Sequence, residues 1–237
     1  MSKRNLLLVS TSTVFGTGYL DHCESAVREL FEGAGRLLFV PYALHDRDGY
    51  AAVARKRFEK MGLRVESVHG VGDPRAALAA AEGVFIGGGN TFRLLRALQE
   101  GGLMEVIRER VREGMPYMGT SAGSNMACPT LKTTNDMPIV EPRSFEALGL
   151  VPFQINPHYL DPEPGSKHMG ETRETRIKEY LEENELPVVG LREGAWLRVR
   201  GDRMELGGLA GARIFRRGVD PEEVTPPADL SALLLSP

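Results

Sequence analysis

The first half of this chain alternates short apolar runs with segments of helical period, and no other feature restricts its fold as tightly. Residues 6–9, 37–41, 63–68, 84–86 and 116–118 read as strands. Residues 19–32, 50–61, a stretch opened by Asp73-Pro74, 90–99 and 103–112 read as helices between them. Asp73 stands where an N-cap is expected, with proline in the first helical position, and Asn90 stands as a cap in the same way. Strands this uniformly apolar must be covered on both faces. That requirement predicts a three-layer α/β fold with a mostly parallel central sheet and crossover helices.

The second half changes character. Residues 151–155 read as a strand leading into Asn156-Pro157-His158, residues 173–183 as a charged helix, and 188–191 as another strand. Runs at 196–200, 204–206 and 214–215 alternate with polar residues and predict an antiparallel hairpin or meander that closes the fold. Within 237 residues there is no internal repeat and no linker, so residues 1–225 are expected as a single domain and 226–237 as a C-terminal tail.

A formal net charge of -3 gives no electrostatic case for nucleic acid or an anionic membrane as partner. The two cysteines, Cys23 and Cys128, are too few for a disulfide framework or a zinc site and fit a reducing compartment. Lys3-Arg4 precedes an apolar run that Ser10-Thr11-Ser12-Thr13 cuts short, so it reads as a strand rather than a signal segment. No stretch approaches the roughly 20 apolar residues of a membrane span. The expected location is cytoplasmic.

Gly119-Thr120-Ser121-Ala122-Gly123 lies between a strand and a small-residue run that can start a helix. In that setting G-x-S-x-G describes a nucleophile elbow, a turn so sharp that the serine is held at its apex. The bland alternative is a tight strand-to-helix turn in a chain with 27 glycines. In an open parallel sheet, ligands bind beyond the carboxyl ends of the strands. Four reactive features follow strands here: Gly87-Gly88-Gly89, Ser121, His158 and Glu193. The alternation predicts that all four meet at one edge of the sheet.

A serine hydroxyl needs a base, and the base an orienting acceptor. Of five histidines, His22 lies in a helix, His45 in a polar loop, His69 at the end of the third strand and His168 in a Gly/Ser/Lys loop. His158 follows a strand and is the candidate base. Glu193 is in a similar position, but position alone does not rank it above Asp136 or Asp161. Backbone N–H donors at an oxyanion contribute about 3–4 kcal/mol each. The amide of Ala122 and a glycine amide from Gly88 or Gly89 are the candidates. Neither phosphate-binding glycine pattern is completed by the glycine run, and no metal-ligand spacing is present. If Glu193 is the acid, the order serine, histidine, acid departs from that of the α/β-hydrolases, whereas Asp136 would preserve it.

Taken together, Gly87-Gly88-Gly89-Asn90-Thr91-Phe92, the elbow, Thr133-Thr134-Asn135-Asp136-Met137-Pro138-Ile139-Val140, Gln154-Ile155-Asn156-Pro157-His158, Gly170-Glu171-Thr172-Arg173 and Gly190-Leu191-Arg192-Glu193-Gly194 resemble the peptidase E family of α-aspartyl dipeptidases. The resemblance spans nearly the whole chain in order. It implies a fold like class I glutamine amidotransferases, with serine where those carry cysteine. It also implies hydrolysis of dipeptides and some tripeptides with an N-terminal aspartate, no cofactor and a homodimer. It puts the nucleophile on Ser121, the base on His158 and the orienting acid on Glu193. It assigns substrate recognition to Arg173, whose guanidinium fork suits a carboxylate, and leaves Asp136 either holding the substrate amine or shaping its loop. Two departures stand out: the loop from Asp161 to Met169, and Arg192 beside the proposed acid. The nearest rival reading is cyanophycinase, which cleaves β-aspartyl-arginine. A non-catalytic binding protein on the same fold is the other.

Overall fold

Five strands, β1 (Asn5–Val9), β2 (Leu37–Val40), β3 (Val65–Ser67), β4 (Gly83–Ile86) and β5 (Tyr117–Thr120), run parallel in the spatial order β1-β5-β4-β2-β3. They come from a computed structural model that describes residues 3–162, 165 and 169–235. Alternate side chains of these strands serve two different cores. Leu6, Leu8, Leu38, Val40, Val84, Ile86 and Tyr117 face one side, while Leu7, Val9, Leu37, Phe39, Phe85 and Met118 face the other. Helices α1 (Glu24–Leu30) and α2 (Arg47–Lys60) cover the second side, where Phe58 stacks on Phe85 at 5.4 Å. Helices α3 (Pro74–Ala79), α4 (Thr91–Glu100), α5 (Met104–Glu113) and α6 (Ala122–Ala127) cover the first. Burial of each such apolar side chain stabilises the fold by about 1.5–3 kcal/mol. The expected caps form: the Asp73 carboxylate accepts from the N–H groups of Arg75 and Ala76, and Asn90 Oδ1 accepts from that of Arg93.

The later strands divide between two sheets. Strands β8 (Ala195–Arg200), β9 (Arg203–Gly208) and β12 (Ala228–Asp229) extend the parallel sheet antiparallel beyond β1, giving eight strands. Strands β6 (Gln154–Tyr159), β7 (Val188–Arg192), β10 (Ala212–Arg216) and β11 (Val219–Val224) form a second sheet in the order β11-β10-β7-β6. Its residues Ile155, Val189, Leu191 and Ile214 join the main core. Tyr159, Val188 and Phe215 pack with Ile177 and Leu181 of α7 (Arg173–Glu183). The expectation of one sheet edge carrying all four reactive features therefore needs correction, because His158 belongs to the second sheet and Glu193 to the turn between the sheets. The segment from Pro226, read as a tail, contributes β12 and a single 3-10 turn that buries Leu233 and Leu234. His168 lies outside the described residues, as does most of the Asp161–Met169 loop.

Candidate active site

Strand β5 ends directly at Ser121, whose backbone takes φ 50° and ψ -109°. Such a conformation costs a non-glycine residue roughly 1–3 kcal/mol and persists only where its surroundings impose it. Here the Ser121 N–H donates to Val9 O at 2.9 Å, and Ser121 O accepts from the N–H groups of Ser124 and Asn125 at the start of α6. The flanking glycines are needed for close approach. A Cβ on Gly119 would be driven into the carbonyl of Gly123, and one on Gly123 into the carbonyl of Ile86. Gly88, beyond the end of β4, lies so near that an added Cβ would come within 3.1 Å of Ser121 Cβ. Gly89 beside it has φ +129° and abuts Ala43 O.

His158 reaches the same place from the second sheet. The strand reading of 151–155 is displaced: β6 runs from Gln154 through Pro157 and His158. Proline is tolerated because β6 is an edge strand. Side chains satisfy its free carbonyls in place of a neighbouring strand. Asn125 Nδ2 and Thr133 Oγ1 donate to Ile155 O, and Asn135 Nδ2 donates to Pro157 O. At His158 the pairing with β7 shifts register and φ turns to 52°. That kink swings the imidazole off the ladder, and the His158 N–H is taken up by Ser10 Oγ at 2.9 Å. Ser10, at the end of β1, donates in turn to Leu191 O and so ties both sheets together. Nothing in the sequence reading singled it out, although it too follows a strand.

The result is a continuous chain of hydrogen bonds. His158 Nε2 stands 2.9 Å from Ser121 Oγ and His158 Nδ1 2.7 Å from Glu193 Oε1. A carboxylate can only accept, so Nδ1 carries the proton and Nε2 is left to accept from the serine hydroxyl. This is the order of groups that lets an imidazole remove a hydroxyl proton. Glu193 occupies the turn in which the chain leaves β7 and enters β8, where Gly194 takes φ +86°. The competing carboxylates are engaged elsewhere. Asp136 accepts from the backbone N–H and the hydroxyl of Thr91 at the start of α4, at 2.7 and 2.5 Å. Asp161 is held by Arg192, whose guanidinium also binds Glu223 and lies over the Tyr159 ring. Arg192 thereby pulls the Asp161 carboxyl below its ordinary pKa.

The remaining candidates are accounted for. His69 is bonded to Ser67 and Asp48, and the ring nitrogens of His22 are buried beside the Thr11 backbone, where desolvation lowers its pKa. Cys23 and Cys128 are buried thiols pushed up to about 12 by desolvation, so neither offers a thiolate near neutral pH. Arg173 opens α7 half-buried, with no ion pair among the described residues. Burial lowers its guanidinium pKa, Arg176 adds to the effect, and the Asp136 charge opposes it. No metal-binding cluster occurs among the described residues. None of the described helices is long and apolar enough to cross a membrane.

Residues 6–207 match the model of peptidase family S51. The chain belongs to that family. It is 60% identical over 230 residues to peptidase E of Streptomyces coelicolor, covering 97% of this chain and 95% of that one. It is 50% identical over 236 residues to a probable alpha-aspartyl dipeptidase of Drosophila melanogaster, covering 98% of each. Two solved structures share the fold. A putative peptidase E protein from Listeria monocytogenes superposes with a TM-score of 0.66 at 24% identity, over 87% of this chain and 99% of that one. A peptidase from an acI-B1 actinobacterium gives 0.69 at 17%, over 96% of each. The names of these relatives favour the dipeptidase reading over cyanophycinase, and membership of a peptidase family favours an enzyme over a non-catalytic protein.

Proposed function

We propose that this protein is a serine dipeptidase that removes aspartate from the N-terminus of dipeptides and some tripeptides. The observation that carries the proposal is the unbroken Ser121–His158–Glu193 relay, at 2.9 and 2.7 Å, on a strained elbow. In the first step Ser121 Oγ attacks the aspartyl carbonyl carbon while His158 Nε2 takes its proton. The tetrahedral oxyanion is met by the amide of Ala122 and an amide from Gly88 or Gly89. Collapse breaks the peptide bond, and His158 delivers the proton to the leaving amine. The aspartyl ester on Ser121 is then hydrolysed by a water molecule activated by the same imidazole. Glu193 holds the imidazole in the required tautomer throughout and supports its positive charge.

Arg173 receives the aspartate side chain in this reading. The Asp136 carboxylate, already bonded to Thr91, shapes the loop opposite Arg173 and keeps a negative charge within reach of the substrate amine. A cytoplasmic homodimer completes the proposal, supported by the resemblance to peptidase E. The test is incubation with Asp-Leu, its β-linked isomer and a neutral dipeptide, followed by detection of free amino acids. Only Asp-Leu should be cleaved. Ser121→Ala should stay folded and lose nearly all turnover, and retention of more than a few per cent of wild-type kcat would overturn the assignment.

A further inference from the structure

The surface beside Glu193 is apolar, although it is exposed. Gly194 is flanked by Leu209 and Val14, whose Cβ and Cγ2 would lie 3.3 and 3.5 Å from a Cβ placed on that glycine. The Leu209 N–H donates to Gly194 O at 2.9 Å, which fixes Leu209 against this turn while its side chain stays 68% exposed. Val14 opens a tight turn closed by Thr17 N–H to Val14 O at 3.0 Å, with Gly16 at φ +81° in the third position, as a type II turn requires. The second position of such a turn favours proline and projects its side chain into solvent. This chain places Phe15 there, and it is fully exposed. Leu160, just past the end of β6, is exposed as well. Scattered surface leucines call for no explanation, but Val14 and the exposed Leu209 packed on the turn that carries Glu193, with exposed Phe15 next to Val14, do.

The direction of catalysis gives the group a role. His158 Nε2 must hand a proton to the leaving nitrogen, so the residue carrying that nitrogen departs on the imidazole side of Ser121. A residue leaving on that side lies beside the His158–Glu193 pair, and Val14 and Leu209 pack against the turn that carries Glu193. The nearby Arg192 is committed to Asp161 and Glu223 and so is not offered to this surface. Glu193 itself would repel an acidic side chain.

We propose that Phe15, Val14 and Leu209 form the binding surface for the second residue of the substrate, and that this enzyme prefers a large apolar residue there. The proposal rests on the dipeptidase reading above. The experiment compares kcat/KM for Asp-Gly, Asp-Ser, Asp-Leu and Asp-Phe in wild type, Phe15→Ser, Leu209→Ser and Phe15→Leu. Wild type should favour Asp-Leu and Asp-Phe over Asp-Gly by about tenfold or more, as an apolar pocket does for a few extra methylenes. Each serine variant should shrink the Asp-Leu to Asp-Gly ratio severalfold, mainly through KM, and Phe15→Leu should restore most of it. Because the ratio is taken within one protein sample, loss of folded enzyme cancels. A wild-type ratio near one, or a ratio unmoved by both serine variants, overturns the inference while leaving the dipeptidase intact. Failure of the wild type to cleave any of the four peptides overturns the dipeptidase reading itself, and this inference with it.

Discussion

Replacing Glu193 by glutamine tests the relay at its most exposed member. The substitution keeps a carbonyl oxygen able to accept from His158 Nδ1 at the observed 2.7 Å, and removes only the charge. A hydrogen bond to a charged group contributes about 1.5–3 kcal/mol. The Glu193 side chain is 55% exposed and that of His158 35%, so water shares in stabilising the imidazolium and the lower part of that range applies. A loss of about 1.5–2.2 kcal/mol corresponds to a fall in kcat of about 13- to 40-fold. His158→Ala removes the proton carrier itself and should cost at least about 10³-fold. Adding Glu193→Gln to His158→Ala should then cost little more, because a broken relay cannot be broken twice. The assay is steady-state hydrolysis of Asp-Leu by all three variants at one pH, with folding checked by circular dichroism. Glu193→Gln within twofold of wild type would refute the claim that this carboxylate works through His158. A loss equal to that of His158→Ala would refute the argument from exposure.

Gly123→Ala drives a methyl group into the Ile86 carbonyl, which cannot retreat without disturbing the β4–β5 pairing. Overpacking against backbone should cost about 3 kcal/mol, read as a fall in Tm of about 6–12 °C by calorimetry. Arg173→Met should flatten the Asp-Leu to Asn-Leu ratio of kcat/KM by tenfold or more, since it removes the half-buried cation at the start of α7, which has no ion pair among the described residues. An unchanged ratio would move the aspartate pocket elsewhere. Asp161, held below its ordinary pKa by Arg192, contributes stability that is present above the unfolded carboxyl value of about 3.9 and is lost as pH falls through the lower folded value. Asp161→Asn should thus lower stability by less than about 1 kcal/mol at pH 7, with a smaller effect near pH 2, in urea titrations at both pH values.

What could be read from the sequence was local or periodic. The caps at Asp73 and Asn90 form as expected, because capping needs only a side chain and the next turn of backbone. The helix at Arg173–Glu183 coincides with its sequence reading for the same reason. Strands β1, β2, β4 and β5 declare themselves by apolarity, whereas β3, Val-Glu-Ser with Glu66 exposed, shows only as alternation between Leu63 and Val68. Strand β6 does not declare itself, because Asn156-Pro157-His158 becomes a strand only when Asn125, Thr133 and Asn135 supply the bonds a neighbouring strand would give. Strand β11, Val-Asp-Pro-Glu-Glu-Val, lies on an edge where proline and charge are permitted, so neither its composition nor its pattern marks it. The division into two sheets depends on pairing between distant segments, which no local signal encodes. At the candidate site, Ser121 was legible from its motif and His158 from its position after apolar residues. Glu193 became distinct from Asp136 and Asp161 only through resemblance, and the structure separates them by showing what each carboxylate already holds.

The hydroxyl and the imidazole ride on different sheets, and their 2.9 Å contact spans the seam between them. Turnover is therefore a gauge of alignment between two bodies, finer than any melting curve. A separation of about 1 Å across the seam would leave both sheets paired and their cores dry, yet it would carry the serine out of hydrogen-bond reach of its base. Variants selected for heat resistance alone can drift in this coordinate unnoticed. Ser10, which leaves β1 of the first sheet and grips β6 and β7 of the second, is where such drift would be arrested.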